Sequence, residues 1–358
     1  MKSRHLVTID SVDAFAESAN AWDALLSRSR AASVFLSSEW LLTSYRTLTP
    51  GAPFCTVLCY QDSTLIGGIM LIHRDAELIA VGEGPSDYLD VLVEPDLNDE
   101  DAVDVCDALC RHALEMTNAG NVRIRGVVES ARLLERLHAG SLFPVVTRRT
   151  VAPSMRMENA EAAIRKKSLK RNTNKLSRAG DLTIRTTARA DEVLPQLPRF
   201  FRQHQARWGA AGQPSQFDAD VQRELFVALT HAMSRSGALR FTTVALDNQP
   251  VAFHFGMVSH GRFTWYKPTY APELAEYSPG EVLLRALIDH AQTEPVTEFD
   301  FTVGSEPFKL RFATVVRDVV DLIVFRSPTR ARLLSAKIGA RELLKHRAPG
   351  LAEKLRSR

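Results

Sequence analysis

The sequence predicts a two-lobed α/β protein in which each lobe is a mixed, mainly antiparallel sheet flanked by helices. Three observations carry this reading. The chain has 358 residues, 45% of them hydrophobic, which is enough for two domains that each bury a core. Short alternating runs that suit strands are interleaved with longer runs at helical spacing. A strand–turn–strand unit also recurs, because Phe54–Leu71 aligns without gaps on Phe241–Val258. Phe54/Phe241, Thr56/Thr243, Val57/Val244 and Met70/Met257 coincide, and each copy is followed by a helix. The expected lobes are residues 1–155 and 156–326, with a basic helical tail over 327–358.

The elements follow in order. A strand is expected at His5–Ile9, a helix near Asn20–Ser29, and a second helix over Glu39–Tyr45 with Ser37 or Ser38 as N-cap. Strands Phe54–Tyr60 and Leu65–Ile72 are joined by Gln61-Asp62-Ser63. The loop GEGPSDYLD leads to a short strand, the helix Asp99–Thr117, and strands at Val122–Ile124 and Val145–Val151. The second half opens with a basic helix, Ile164–Arg178. Strand Leu182–Thr186 and helices Asp191–Trp208 and Phe217–Ser236 come next. A meander, Leu239–Leu246, Val251–Ser259 and Arg262–Tyr266, leads to the stretch WYKPTYAPELAEYSPGEVLLRALIDHAQTEPVTEFDFTVGSEPFKLRF. That stretch reads as strand, loop, helix, the short strand Glu298–Phe301 and a charged turn, before strands in Val315–Phe325.

Composition narrows the function classes. No apolar run reaches the length of a membrane span. MKSRHLVTIDSVDAF lacks the features of a signal peptide, so a cytoplasmic protein is expected. Cys55/Cys59 fall on a strand and Cys106/Cys110 on a helix, without the tight knuckles of a zinc site. They read as buried reduced thiols, and no metal is expected. Serine–histidine–acid sets, Walker loops and metal-ligand clusters are absent, which ranks hydrolase, nucleotidase and metalloenzyme readings low.

Charge is uneven. Residues 162–180 and 327–358 carry +7 each, so a total of +3 leaves −11 on the remainder. An acidic body with two basic segments points to anionic partners at defined places, not to specific DNA binding. The helix places Lys167 and Arg171 on one stripe with Lys175 and Arg178, as for a bound polyanion; a solvated charged face is the plainer reading. The tail either packs on the body or lies on the inner face of a membrane.

Ser278-Pro279-Gly280 opens a helix directly after a strand. Pro279 suits a first helical turn, Gly280 permits close approach, and free N–H groups there attract anions. This is the expected place of a donor's phosphates. Asp300, Glu306 and Lys309 lie just beyond it and are the candidates for acid–base and oxyanion work, with His254 and Tyr270 behind them. Each also has a plainer reading. Asp300 suits a structural carboxylate, Glu306 and Lys309 a surface ion pair, and His254 a core histidine. The loop GAAGQPSQF after His204, Arg207 and Trp208 has the composition of a lid.

YSPG…LL and FDF…GSEPFKLRF, with SVFLSSEWLLTSY, GGIMLI, SDYLDVLV and KKSLKRNTNKLSRAG, resemble the GNAT-like acyltransferases typified by the cellulose-biosynthesis protein CelD, relatives of the FemAB/FemX peptidyltransferases. The resemblance covers roughly residues 20–325. It implies tandem GNAT-like lobes, with acetyl-CoA or another acyl-CoA as co-substrate in the second. It further implies an amine acceptor on an amino sugar or other cell-envelope or exopolysaccharide precursor. In this fold the strand before the helix splays from its neighbour and leaves a wedge for the donor arm. Val251–Ser259 or Arg262–Tyr266, with Tyr266 at the donor, would supply that edge. The resemblance also implies acceptor contacts at Asp87, Tyr88 and Asp90. The phosphate loop keeps only Ser278-Pro279-Gly280 of the usual glycine-rich pattern, which holds open an aminoacyl-tRNA donor. A non-catalytic module that binds envelope polymer is the third reading.

Overall fold

A computed structural model describes residues 4–129 and 132–347. Along the chain, β1 (Arg4–Ile9), α1 (Val12–Arg28) and α2 (Ser38–Leu48) precede β2 (Phe54–Gln61), β3 (Thr64–Arg74), β4 (Glu77–Ala80) and β5 (Leu92–Val93). Then come α3 (Asp99–Thr117), β6 (Asn121–Val128), α4 (Leu133–Ala139), β7 (Phe143–Arg156), α5 (Ala160–Ile164) and α6 (Lys167–Ser177). They are followed by β8 (Leu182–Thr187), α7 (Ala190–Val193), α8 (Leu197–Ala210), α9 (Asp220–Arg235), β9 (Leu239–Leu246), β10 (Gln249–Ser259) and β11 (Arg262–Tyr270). The chain continues through α10 (Pro279–Ala291), β12 (Glu298–Asp300), α11 (Pro307–Phe312), β13 (Val315–Phe325) and α12 (Pro328–Arg347). The last part of the basic tail, residues 348–358, lies outside the described residues. No helix among the described residues is long and apolar enough to cross a membrane.

Two compact units result. The first comprises Met1–Ala31, Gly51–Thr150 and Asp318–Arg358, and the second Ala32–Pro50 and Val151–Arg317. In the first, β1, β2, β3, β4, β6 and β13 are neighbours in that order, with β5 beside β3. Only β4–β6 is parallel. The cysteines are free and buried here. Burial pushes the Cys106 thiol up to about 12, as expected of inert structural thiols.

In the second unit the order is β12, β11, β10, β9, β8, with the Ser154–Arg156 end of β7 against β12. Alternation on β10 dictates its two layers. Phe253 and Phe255 meet Phe226 and Phe241, and Phe200 packs on Phe253 among the α8 and α9 side chains. α2 joins this layer, with Trp40 and the nearby Phe35 against Tyr266. The opposite face carries α10, whose Leu283, Leu284, Leu287 and Ile288 share a core cluster with Phe263, Trp265 and Phe299. α6 adds Leu169 and Leu176 to the same cluster.

Both units contain the same hairpin, though two residues out from the sequence alignment. Gln61 pairs Thr64 as Leu246 pairs Gln249, and Cys59 pairs Gly67 as Val244 pairs Ala252. Ile66 and Val251 are therefore the extra residues of equivalent bulges. Asp62 and Asp247 open equivalent two-residue turns, both at positive φ. Register is set by turn and bulge, so Thr56 answers to Phe241 and the four coincident pairs are not structural equivalents.

The helix expected over Ile164–Arg178 is broken at Arg165-Lys166, and the charged turn after Glu306 is the helix α11. Because Leu287 is fully buried on α10, Leu287→Ala should cost about 2–5 kcal/mol in chemical denaturation. A loss under about 1 kcal/mol would show that this stripe does not anchor the helix.

Candidate functional site

The site is built where α10 begins. Ser278 has φ 52 and makes no side-chain cap, and Pro279 takes the first helical position. The Ser278 carbonyl accepts from Glu281 N at 2.9 Å and Val282 N at 3.3 Å. Glu281 places a carboxylate in the first turn, where the helix dipole favours it. Asn172 of α6 donates to one of its oxygens at 2.7 Å and Arg311 of α11 to the other at 3.2 Å. Arg311 also reaches the Ser168 hydroxyl.

Beside this helix start the sheet opens. β11 pairs with β12 in parallel only from Arg262 to Thr264, opposite Glu298 to Asp300. Asp300 then turns the chain away: its Oδ1 accepts from Thr302 N at 2.8 Å, and Thr302 has φ 59. The departing backbone bonds to the end of β7, with Phe301 N on Pro153 O and Gly304 N on Val151 O. Among the described residues the β11–β12 pairing does not continue past Thr264. A cavity of about 280 Å³ fills the gap. Trp265, Leu283, Leu284, Phe308 and Phe312 make its apolar wall, and Thr269, Tyr270, Ser278, Glu281 and Arg207 its polar one. Arg207 lies over the Tyr270 ring at 4.7 Å and donates to Pro268 O at 2.9 Å. A bulge helps to shape this edge. Between the pairs Phe255–Lys267 and Met257–Thr264, Trp265 and Tyr266 face the single residue Gly256.

His254 secures that bulge. Its ring is fully buried, stacks on Trp265 at 5.3 Å, and lies where any side chain at Gly256 would stand. Nε2 accepts from the Tyr266 N–H at 3.1 Å. Acceptance fixes the neutral tautomer with its proton on Nδ1. Burial drives the ring down to about 3, so it stays neutral at any physiological pH.

The structure brings Tyr270, Ser278 and Gly280 together in the cavity wall. Pro279, between them, is buried, and Gly280 gives room to the Tyr270 ring. Tyr266 is not part of the cavity wall: its N–H is held by His254 and its ring packs among Phe35, Trp40 and Phe226. His254 lies beneath Trp265, outside the cavity wall. Asp300 and Lys309 are buried at 2% and 5% exposure. The Lys309 ammonium donates to Val303 O at 2.8 Å and pairs with Glu306 at 3.2 Å. Gly304, at φ 140, leaves the space that these two charged groups fill. The Glu306 side chain is 52% exposed. Lys167 and Arg171 line a groove on α6.

Asp87, Tyr88 and Asp90 belong to the first unit. Asp90 is buried and accepts from Val91 N at 2.8 Å, and burial pushes its carboxyl up to about 7. The loop proposed as a lid is tied at its far end, where Ser215 meets His204 Nδ1 at 2.8 Å. Trp265, Glu281, Phe308 and Phe312 also belong to the wall and carry no local mark of it in the sequence. Only the helical spacing of Phe308 and Phe312 could have paired those two.

Residues 163–310 match the acetyltransferase (GNAT) domain family. The domain makes the chain an acyltransferase. Comparison with curated proteins gives no significant match. Among solved structures, FemX is 10% identical, covers 92% of this chain and 99% of its own, and superposes with a TM-score of 0.65. The C-terminal domain of a putative lysylphosphatidylglycerol synthetase from Agrobacterium fabrum is 13% identical, with 90% and 96% covered and a TM-score of 0.58. A tandem GNAT protein from the clavulanic acid biosynthesis pathway is 14% identical, with 90% and 99% covered and a TM-score of 0.52. At these identities the likeness is one of fold, and the fold is that of tandem GNAT-like lobes.

His254→Leu leaves the Tyr266 N–H buried and unpaired and should destabilise by about 1–3 kcal/mol. His254→Gln, which restores an acceptor, should recover much of this. The folded chain keeps His254 neutral down to about pH 3, whereas the unfolded chain takes up a proton near 6.5. Its share of stability is whole above pH 6.5 and is lost as pH falls toward 3. His254→Gln should therefore flatten part of the acid limb of a denaturation-midpoint profile. An unchanged limb would contradict the assignment.

Proposed function

We infer that the chain is an N-acyltransferase whose donor arm lies in the gap between β11 and α10, and which delivers an acyl group to an amine. The observation that carries this is the parting of β11 from β12 beside an apolar cavity. An extended, amide-bearing arm would lie along the Pro268–Tyr270 end of β11 in the manner of an added strand, with its acyl end toward Trp265 and Phe308. The amine nitrogen attacks the acyl carbonyl carbon, the carbon–sulfur bond of a thioester breaks, and the thiolate leaves. The nitrogen must lose a proton, and Glu306, exposed one turn before Lys309, is its acceptor directly or through water. Lys309 and Asp300 hold the loop that presents Glu306. The acceptor class that fits the resemblance to the CelD-like family is an amino sugar or related envelope precursor.

One observation favours a second donor. Glu281 already occupies the first turn of α10, where a pyrophosphate would need its charge. An aminoacyl-tRNA, which brings no pyrophosphate to this helix, suits such a start better than acyl-CoA does.

Glu306→Gln should lower kcat about 10²–10⁴-fold and leave donor affinity within threefold. Calorimetric titration with acetyl-CoA, longer acyl-CoAs and aminoacyl-tRNA decides the donor. Failure of all three to bind would remove the reading.

A further inference from the structure

We propose that the ribonucleotide phosphates at the non-acyl end of the donor are bound by α6 and not by the start of α10. The proposal rests on the donor cleft described above. Lys167, Lys170, Arg171, Lys175 and Arg178 line one groove, of about 550 Å³, with Asn174 among them. Their spacing of three and four residues sets them on one exposed stripe, while Leu169, Asn172 and Leu176 face inward. The stripe runs about 16 Å at the α-helical rise. α6 carries no acid. Of the seven cations over 162–180, Arg165 pairs with Glu161, Lys166 donates to Arg311 O, and Lys175 meets Glu276. Lys167, Lys170, Arg171 and Arg178 make no ion pair among the described residues. Like charges at this spacing oppose the helix, and a bound polyanion relieves that.

The stripe is also placed for the task. Lys175 donates to Glu276 O at 2.8 Å and lies over the Tyr277 ring at 4.8 Å, next to Ser278 in the cavity wall. At its other end Ser168 meets Arg311, the partner of Glu281. α6 thus flanks the mouth of the cleft along its length. The α10 start, by contrast, is compensated by its own carboxylate.

The test uses the full chain and the charge reversal Lys170→Glu with Arg171→Glu, both exposed, beside the neutral Lys170→Gln with Arg171→Gln. Binding of CoA, pantetheine and unfractionated aminoacylated tRNA is measured across a salt series. The reversal should weaken binding of the true donor end, CoA or tRNA, at least tenfold, with the neutral pair intermediate and pantetheine unchanged. A drop for CoA alone identifies the thioester donor. A drop for tRNA with a salt slope shallower by about two identifies the nucleic-acid donor. Equal affinity of wild type and reversal for both would overturn the proposal, as would failure of wild type to bind either. Turnover separates the two claims: acetyl-pantetheine consumed equally by wild type and reversal upholds the acyltransferase cleft even where the phosphate assignment falls.

Discussion

A parallel pairing only three residues long, Arg262–Thr264 against Glu298–Asp300, sets the geometry of everything around the cleft. It is firmly held at its base, where Arg317 donates to both oxygens of Glu298 at 2.5 and 2.6 Å. It ends because Asp300 turns the backbone toward β7. Buried backbone groups must find partners, so parting two central strands creates a set of polar obligations. Three are met locally: Tyr266 N by His254, Trp265 O by the Thr302 hydroxyl, and Pro268 O by Arg207. On the proposed reading the donor arm uses the rest of this edge, and Trp265 and Phe308 line the space beside it.

The charges around this cleft are sorted. Beside the start of α10, Glu281 is held by Asn172 and Arg311, and Lys309 by Glu306 and a carbonyl. Along α6, Lys175 meets Glu276, but Lys167, Lys170 and Arg171 make no ion pair among the described residues. Exposed ion pairs contribute little to stability, so the contrast has no large energetic meaning for folding. It does concern ligands, because a field from unpaired cations reaches about one Debye length, near 8–10 Å at physiological salt.

Local patterns made much of this legible in the sequence. Pro279 at a helix start, the alternating β10, the short β12 and the spacing of Glu306 and Lys309 all depend on neighbours in the chain. Other features depend on distant partners. The bulge at Trp265–Tyr266 turns the Tyr266 ring toward Phe35 and Trp40, residues more than two hundred positions earlier, and no local pattern marks it. The same bulge explains His254, which lies between the small residues Ala252 and Gly256 on β10. Gly256 is small because the imidazole itself lies over it. The repeated hairpin was found two residues out of register because the alignment followed side-chain identity, whereas pairing follows turn and bulge. Glu306-Pro307 did carry a helix-start signal, since proline suits a first turn.

On the proposed reading, burial divides the work among the three reaction-side candidates. A group that accepts a proton from each incoming amine must return it to solvent before the next turnover. Asp300, almost fully enclosed and engaged by the Thr302 N–H, has no such exchange path in this arrangement. Lys309 is enclosed as well, and its ammonium is a donor only, fixed between Val303 O and Glu306. Glu306 alone of the three combines a carboxylate with an exposed side chain. The buried pair then has a different use, because an exposed acid on a loop is imprecise unless something holds the loop. Asp300 fixes the first bend at Thr302, and Lys309 clamps Val303 from the following helix. The segment between them can therefore present Glu306 with the constancy that proton transfer requires.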